Sequence, residues 1–356
     1  MLKLTSKEKD EIKIYKKIYY FNNKINDHII YRFQILKLLG KGSFSTVNKV
    51  YDYKNNTTIA IKMITNTNTI TNTITNTIPN TIPNEVTILS NLKKKEQNYI
   101  TKLYEFFIFR NTKYIVFKLY DITLHELIYY KPNKPNKPNK SILEQNRIRY
   151  ISQILHAIEY LKDNKIIHRD IKPNNIVLKD NTYKDIILID FGCAISNINC
   201  NINCNKECIQ TIAYRSPEIV LNNLYNKKLH YNYKIDIWSV GCIIYELFLY
   251  KRLFDSKTNG DLFINYNIIL NAPPTNMIKQ IPEIHTFYDD IKSPSCIKYK
   301  NTIYTFNKTK FKNIFINKFG ETAIIDLILK CCEWDIENRI NCKQAIELLA
   351  INIKDK

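Results

Sequence analysis

The stretch IIHRDIKPNNIVL (residues 166–178) decides how the rest of the chain is read. His168, Arg169 and Asp170 are followed five residues later by Asn175, with Lys172 between them. A carboxylate such as Asp170 can accept the proton of a substrate hydroxyl. An amide oxygen beside it can hold a metal ion, and a lysine can neutralise a phosphoryl group in transfer. Chance assembly of these residues in this order is very improbable.

Working outward, IILIDFGCA (residues 186–194) ends an apolar strand on Asp190, a hard oxygen ligand suited to Mg²⁺. Upstream, LGKGSFSTVNKV (residues 39–50) carries Gly40, Gly42 and Val47 of a G-x-G-x-x-G-x-V loop, with Ser45 in place of the third glycine. Glycines let backbone N–H groups close over phosphates. Gly-x-Gly turns are common, so this loop alone decides little. IAIK (residues 59–62) puts Lys62 on a strand, where it can reach phosphates as a point charge or be a surface residue of an edge strand.

These motifs, in this order and followed by TIAYRSPEIVL (residues 211–221), resemble the eukaryotic protein kinases over residues 31–353. The resemblance implies an α+β fold of two lobes, a small β-rich one at 31–117 and a larger helical one at 121–353, after a basic extension at 1–30. It implies ATP and Mg²⁺ as cofactors. By resemblance Asp170 is the catalytic base, aided by Lys172; Asn175 and Asp190 bind the metal. Lys62 holds the α/β phosphates and pairs with Glu85. Gly40, Lys41, Gly42, Ser43, Val47 and Ala60 border the nucleotide. Phe117 borders the adenine pocket, whose backbone contacts run from Lys118 to Tyr120. Glu218 and Arg339 form a buried ion pair. The lysine of HRDIKP looks like the serine/threonine class.

YRSPE (214–218), DIWSVGCIIYELF (236–248) and CCEWDIENRI (331–340) resemble the group of cyclin-dependent, MAP, CDC-like and dual-specificity tyrosine-regulated kinases. LFDSKTNGDLF (253–263) and PPTNMIKQ (273–280) look closest to the pre-mRNA-processing kinases, which implies splicing factors as protein substrates and favours the nucleus. The alternatives are a pseudokinase scaffold, opposed by the intact Lys62, Asp170, Asn175 and Asp190, and a dual-specificity enzyme of the tyrosine-regulated branch.

Two departures from the family stand out. NINCNINCNKEC (residues 197–208) falls where the activation loop lies, and no tyrosine occurs between Cys193 and Ala213. Counting back from Tyr214, the position of the branch's phosphorylated tyrosine is Cys208; Ile212 replaces an arginine and Ala213 an aromatic residue. Arg169 and Arg215 would normally grip the phosphate. Loop tyrosine phosphorylation is therefore not expected to be needed, and proline-directed specificity is in doubt. Cys200, Cys204 and Cys208 lack an adjacent fourth ligand, which opposes a zinc site. The second departure is Pro83, which lets the helix of Glu85 begin hardly earlier and predicts a Lys62–Glu85 pair that closes less firmly or needs a partner.

The remaining sequence sets limits. The chain has 356 residues, 45% hydrophobic and 24% charged, enough for a sizeable core. The start has no apolar h-region, and no run of about 18 apolar residues occurs, so no secretory signal and no membrane span are expected. An intracellular monomer follows, with its nine cysteines mostly free thiols. The net charge of +20 fits either an acidic partner, with weak nucleic-acid contact, or an AT-rich genome's excess of Lys and Asn, since the lysines are spread along the chain. The repeats at 65–83 and 131–140 read as loop insertions. KIDIWSVGCIIYELFL (residues 234–249) is apolar nearly all round and reads as a buried helix, with Cys242, Cys331 and Cys332 as core filler.

Overall fold

The computed structural model describes residues 6, 28–29, 32–42, 45–64, 82–92, 99–109, 112–129, 140–196, 209–227, 229–288, 294–319 and 322–354. Ser43, the three loop cysteines, most of both repeats and nearly all of the N-terminal extension lie outside them. The chain divides into two compact units: residues 1–97 with 101–120, and residues 98–100 with 121–356.

The small unit is an antiparallel sheet of six strands. They are β1 (His28–Ile29), β2 (Phe33–Lys41), β3 (Ser45–Asp52), β4 (Thr57–Ile64), β5 (Leu103–Phe109) and β6 (Thr112–Lys118), in the order β1-β2-β3-β4-β6-β5. Period-2 alternation explains β4. Ile59 and Ile61 enter a core with Ile29, Phe33, Val50, Tyr114 and Val116, while Ala60 and Lys62 face the other way. The sheet reaches back to His28, before the lobe boundary read at residue 31, because Ile29 is buried in this core. Arg32 binds both carboxylate oxygens of Asp52 at 2.8 Å and Glu105 at 2.9 Å, tying β2, β3 and β5 together. Helix α1 (Asn84–Leu92) of this unit starts directly after Pro83, whose carbonyl accepts from Val86 and Thr87.

The large unit is mainly helical. It contains α2 (Leu124–Ile128), α3 (Lys140–Asp163), the strand pairs described below, α4 (Pro217–Tyr225), α5 (Lys234–Leu249), α6 (Asn259–Leu270), α7 (Thr275–Gln280), α8 (Lys308–Phe319), α9 (Thr322–Cys331) and α10 (Cys342–Lys354). Helix α5 is the axis of the core, with every residue from Ile235 to Leu249 buried, as its unbroken apolar pattern predicts. A Cβ at Gly241 would lie 2.6 Å from Cys332 Sγ, so glycine there lets α5 and α9 approach. A hairpin of Cys296–Tyr299 and Thr302–Thr305 turns at Lys300 and Asn301, both at positive φ. That conformation suits a two-residue turn, but lysine at its first position gives a weak sequence signal.

Candidate active site

Two short strand pairs of the large unit build the site. β7 (Ile166–Ile167) pairs with β10 (Ile195–Ser196), and β8 (Ile176–Leu178) pairs with β9 (Ile186–Leu188). The loop 168–175 and the turn 189–194 therefore run side by side. Ile189 N–H donates to Asn175 O at 2.9 Å, and the His168 ring meets Phe191 edge-on at 4.8 Å. Burial pushes the His168 imidazole down, so it serves as a neutral core group.

Asp170 is the centre of this loop. Its Oδ1 accepts from Thr211 N–H at 3.1 Å and Thr211 Oγ1 at 2.8 Å. Its Oδ2 accepts from Asn175 Nδ2 at 3.0 Å and lies 2.7 Å from Lys172 Nζ. Lys172 also donates to Thr211 Oγ1 at 2.7 Å. A carboxylate, a lysine, a threonine hydroxyl and an amide thus form one closed set, bringing Asp170, Lys172 and Asn175 together as the sequence spacing implied.

Asp190 sits exposed at the end of β9 with φ 61°, its Oδ1 accepting from Gly192 N–H at 3.4 Å. Asn175 turns its Nδ2 to Asp170, which leaves Oδ1 as its oxygen donor. Carboxylate and amide oxygens on two turns bonded to each other suit a hard divalent cation. Among the described residues no group of three His, Cys, Asp or Glu gathers as a closed metal centre.

In the small unit, Lys62 Nζ donates to Glu85 Oε2 at 2.8 Å, and both side chains are buried. The pair expected to close less firmly, or to need a partner, is closed in this structure. The helix does begin only at Asn84, but a glutamate in its first turn already reaches β4. The N-terminus of a helix also favours its negative charge. Register places Val47 opposite both Gly40 and Lys62, and Ala60 opposite Phe117. Among the described residues a Cβ at Gly40 would meet nothing within 4 Å, so packing among them does not demand glycine there. Glycine remains useful where a ligand must approach the backbone. Lys41 and Gly42 close the loop through Gly42 N–H to Ser45 O at 2.8 Å, and Lys118 and Tyr120 end the unit. Burial raises the Tyr120 phenol to about 12.

Sequence reading missed the groups that hold this site from behind. Asp236 of α5, 1% exposed, accepts from the backbone N–H of His168 at 2.8 Å and of Arg169 at 3.0 Å. Glu246 of the same helix accepts from Tyr214 and Tyr129 hydroxyls, each at 2.7 Å. The signal was two acids inside an otherwise apolar helix. Gln210 gave no signal. The Glu218–Arg339 pair forms as expected, with both prongs at 2.8 and 3.0 Å.

Comparison with known proteins agrees with this geometry. The family model described as the protein kinase domain matches residues 33–349. The probable serine/threonine-protein kinase dyrk2 of Dictyostelium discoideum is 31% identical over 374 residues, covering 97% of this chain and 38% of that protein. Dual specificity tyrosine-phosphorylation-regulated kinase 4 of Homo sapiens is 30% identical over 326 residues, covering 91% and 58%. Kinase 3 of the same name from Mus musculus is 34% identical over 339 residues, covering 90% and 54%. The chain spans between 38% and 58% of the length of these relatives. With most of its length matched by the family model, the chain belongs to the protein kinase domain family, among its eukaryotic serine/threonine members.

Proposed function

We propose that this chain transfers the γ-phosphoryl group of ATP to serine or threonine hydroxyls of proteins. The observation that carries the reading is the Asp170 set: a carboxylate braced by Thr211, Asn175 and Lys172. Asp170 takes the hydroxyl proton as the new O–P bond forms and the bond to the β-phosphate oxygen breaks, leaving ADP. Lys172 neutralises charge on the group in transfer. Lys62, oriented by Glu85, holds the α/β phosphates, and the loop of Gly40, Lys41 and Gly42 covers them; Val47, Ala60, Phe117, Lys118 and Tyr120 would surround the base. Asn175 and Asp190 would hold Mg²⁺, which supplies charge neutralisation at the phosphates.

The peptide platform favours proline after the phosphorylated residue, despite Ile212 and Ala213. Gln210 stands at φ 61°, and its carbonyl accepts from Arg215 Nη2 at 2.8 Å. A carbonyl used in this way is a poor acceptor for a substrate N–H, and proline has none to satisfy. Splicing factors remain a candidate substrate class resting only on the short stretches at 253–263 and 273–280. The relatives' names support the tyrosine-regulated branch instead.

The test is transfer from labelled Mg·ATP to a peptide array with proline or alanine after the acceptor, and to an Arg/Ser-rich protein. Asp190→Asn is the control and should lose nearly all transfer. A folded wild type without transfer to any substrate would overturn the reading in favour of a scaffold. Equal transfer to proline and alanine peptides would remove the proline preference alone.

A further inference from the structure

Two of the relatives named above, the kinases 4 and 3, are regulated by tyrosine phosphorylation, by their names. Between Asp190 and Glu218 this chain has one tyrosine, Tyr214, which is 3% exposed with its hydroxyl bonded to Glu246. The other hydroxyls of that stretch are Ser196, Thr211 and Ser216. Thr211 is engaged with Asp170 and Lys172, and Ser216 is fully buried. Ser196 alone of them is exposed.

The two arginines suited to a phosphate are bonded inside the chain. Arg169 donates to Cys193 O at 2.6 Å and to the Tyr231 hydroxyl at 3.3 Å. Arg215 donates to Ile209 O at 3.1 Å, Gln210 O at 2.8 Å and Asn259 Oδ1 at 2.6 Å. Both are 7% exposed.

Gln210 sits where these contacts meet. It is 4% exposed and left-handed, a conformation that needs outside support in a residue other than glycine. Its N–H donates to Arg169 O at 2.9 Å. Its Nε2 reaches Ile235 O at 3.0 Å, Ser239 Oγ at 3.1 Å and Tyr214 O at 3.4 Å. Its Oε1 accepts from Ser216 N–H at 2.9 Å and Ser216 Oγ at 3.1 Å. One residue therefore joins three pieces: its backbone N–H holds the loop of Asp170, and its side-chain amide ties the segment of Thr211 to helix α5. A charged organiser such as a phosphate would work by connecting the same three pieces.

We propose that Gln210 is a positioning residue that holds residues 209–218 in their substrate-ready form without any phosphate on the chain. The inference rests on the kinase reading, so its experiment is read before and after dephosphorylation. The full chain is assayed with a protein substrate and Mg·ATP, then treated with a broad phosphatase, shown by mass spectrometry to be phosphate-free, and assayed with the phosphatase removed. The expected result is kcat/KM unchanged within about two-fold at the first turnovers, with Ser196→Ala behaving like the wild type. Gln210→Met keeps the side chain's length and removes its hydrogen bonds. It is expected to lower kcat/KM for the protein substrate about 100-fold, the cost of a small misplacement, while KM for ATP changes little.

Transfer that disappears with the phosphate, or with Ser196→Ala, overturns the inference and leaves the kinase reading standing. No transfer before treatment overturns the kinase reading itself, and this inference with it. If Gln210→Met fails to fold, Gln210→Glu replaces it. That change keeps the acceptor for Ser216 and removes the donors to Ile235, Ser239 and Tyr214. Unchanged substrate KM and kcat in whichever variant folds overturns the assignment to Gln210.

Discussion

Two of the buried ion pairs, one taken from each unit, are built differently. Arg339 grips both oxygens of Glu218 and also donates to the carbonyls of Glu333 and Lys234, with its guanidinium 5.1 Å from the Trp238 ring centroid. Lys62 meets Glu85 through Oε2, from a strand to the first turn of a short helix. A planar fork fixes a geometry; an ammonium on a flexible stem marks a position and can exchange its partner. The first pair reads as an anchor of the segment after Thr211. The second suits a group that must also meet phosphates.

The largest effect is expected from Arg339→Met. It leaves the Glu218 carboxylate buried without its cation and should cost about 3–5 kcal/mol of stability. Urea unfolding of variant and wild type measures this. Arg339→Lys should fall between them, because the charge stays and the fork is lost. A loss below about 1 kcal/mol for the methionine variant would erase the contrast between the pairs.

Lys62→Met should act on chemistry more than on folding. Transfer should fall roughly 10²–10³-fold, the usual effect of losing one preorganised donor at a developing charge. Its unfolding midpoint should shift less than that of Arg339→Met, since Glu85 keeps the favourable helix N-terminus. Glu85→Gln sharpens the point. An amide oxygen still accepts from Lys62 but without charge, so a loss of about 1 kcal/mol, near five-fold in transfer, is expected. If Glu85→Gln matched Lys62→Met, the glutamate would do more than orient the lysine.

The same contrast explains what was legible in the sequence. Strand alternation, the buried α5 pattern and the HRD and DFG stretches are local signals, and each produced the expected element or side-chain set. Glu85 was found because its motif partner was found, and helix length is a poor guide to where its first-turn side chain reaches. Asp236, Glu246 and Gln210 were missed for one reason. Asp236 and Glu246 bind backbone groups and hydroxyls 32 to 117 positions away, and Gln210 reaches Ile235 and Ser239 25 and 29 positions away, in segments whose approach no spacing rule encodes. β1 was missed because two residues are too few for a period.

A further prediction, on the pH dependence of stability, concerns Asp236, another buried carboxylate, which is held by two backbone N–H groups rather than by a forked cation. Burial pushes it up to about 7, against those two bonds and the more distant Arg169 guanidinium. An unfolded aspartate releases its proton near pH ~4. Between the two values the folded chain binds more protons than the unfolded one, so the contribution of this group to stability falls as pH rises from about 4 to 7 and then levels off. Asp236→Asn cannot titrate. It should be less stable by about 1–3 kcal/mol, because an amide satisfies one backbone N–H and turns a donor toward the other. The difference between wild type and variant should narrow across that pH window. Parallel curves from unfolding at pH 5, 6, 7 and 8 would mean that Asp236 is ionised throughout. The loop of Asp170 would then be held by a permanent buried charge, as the segment after Thr211 is by Glu218.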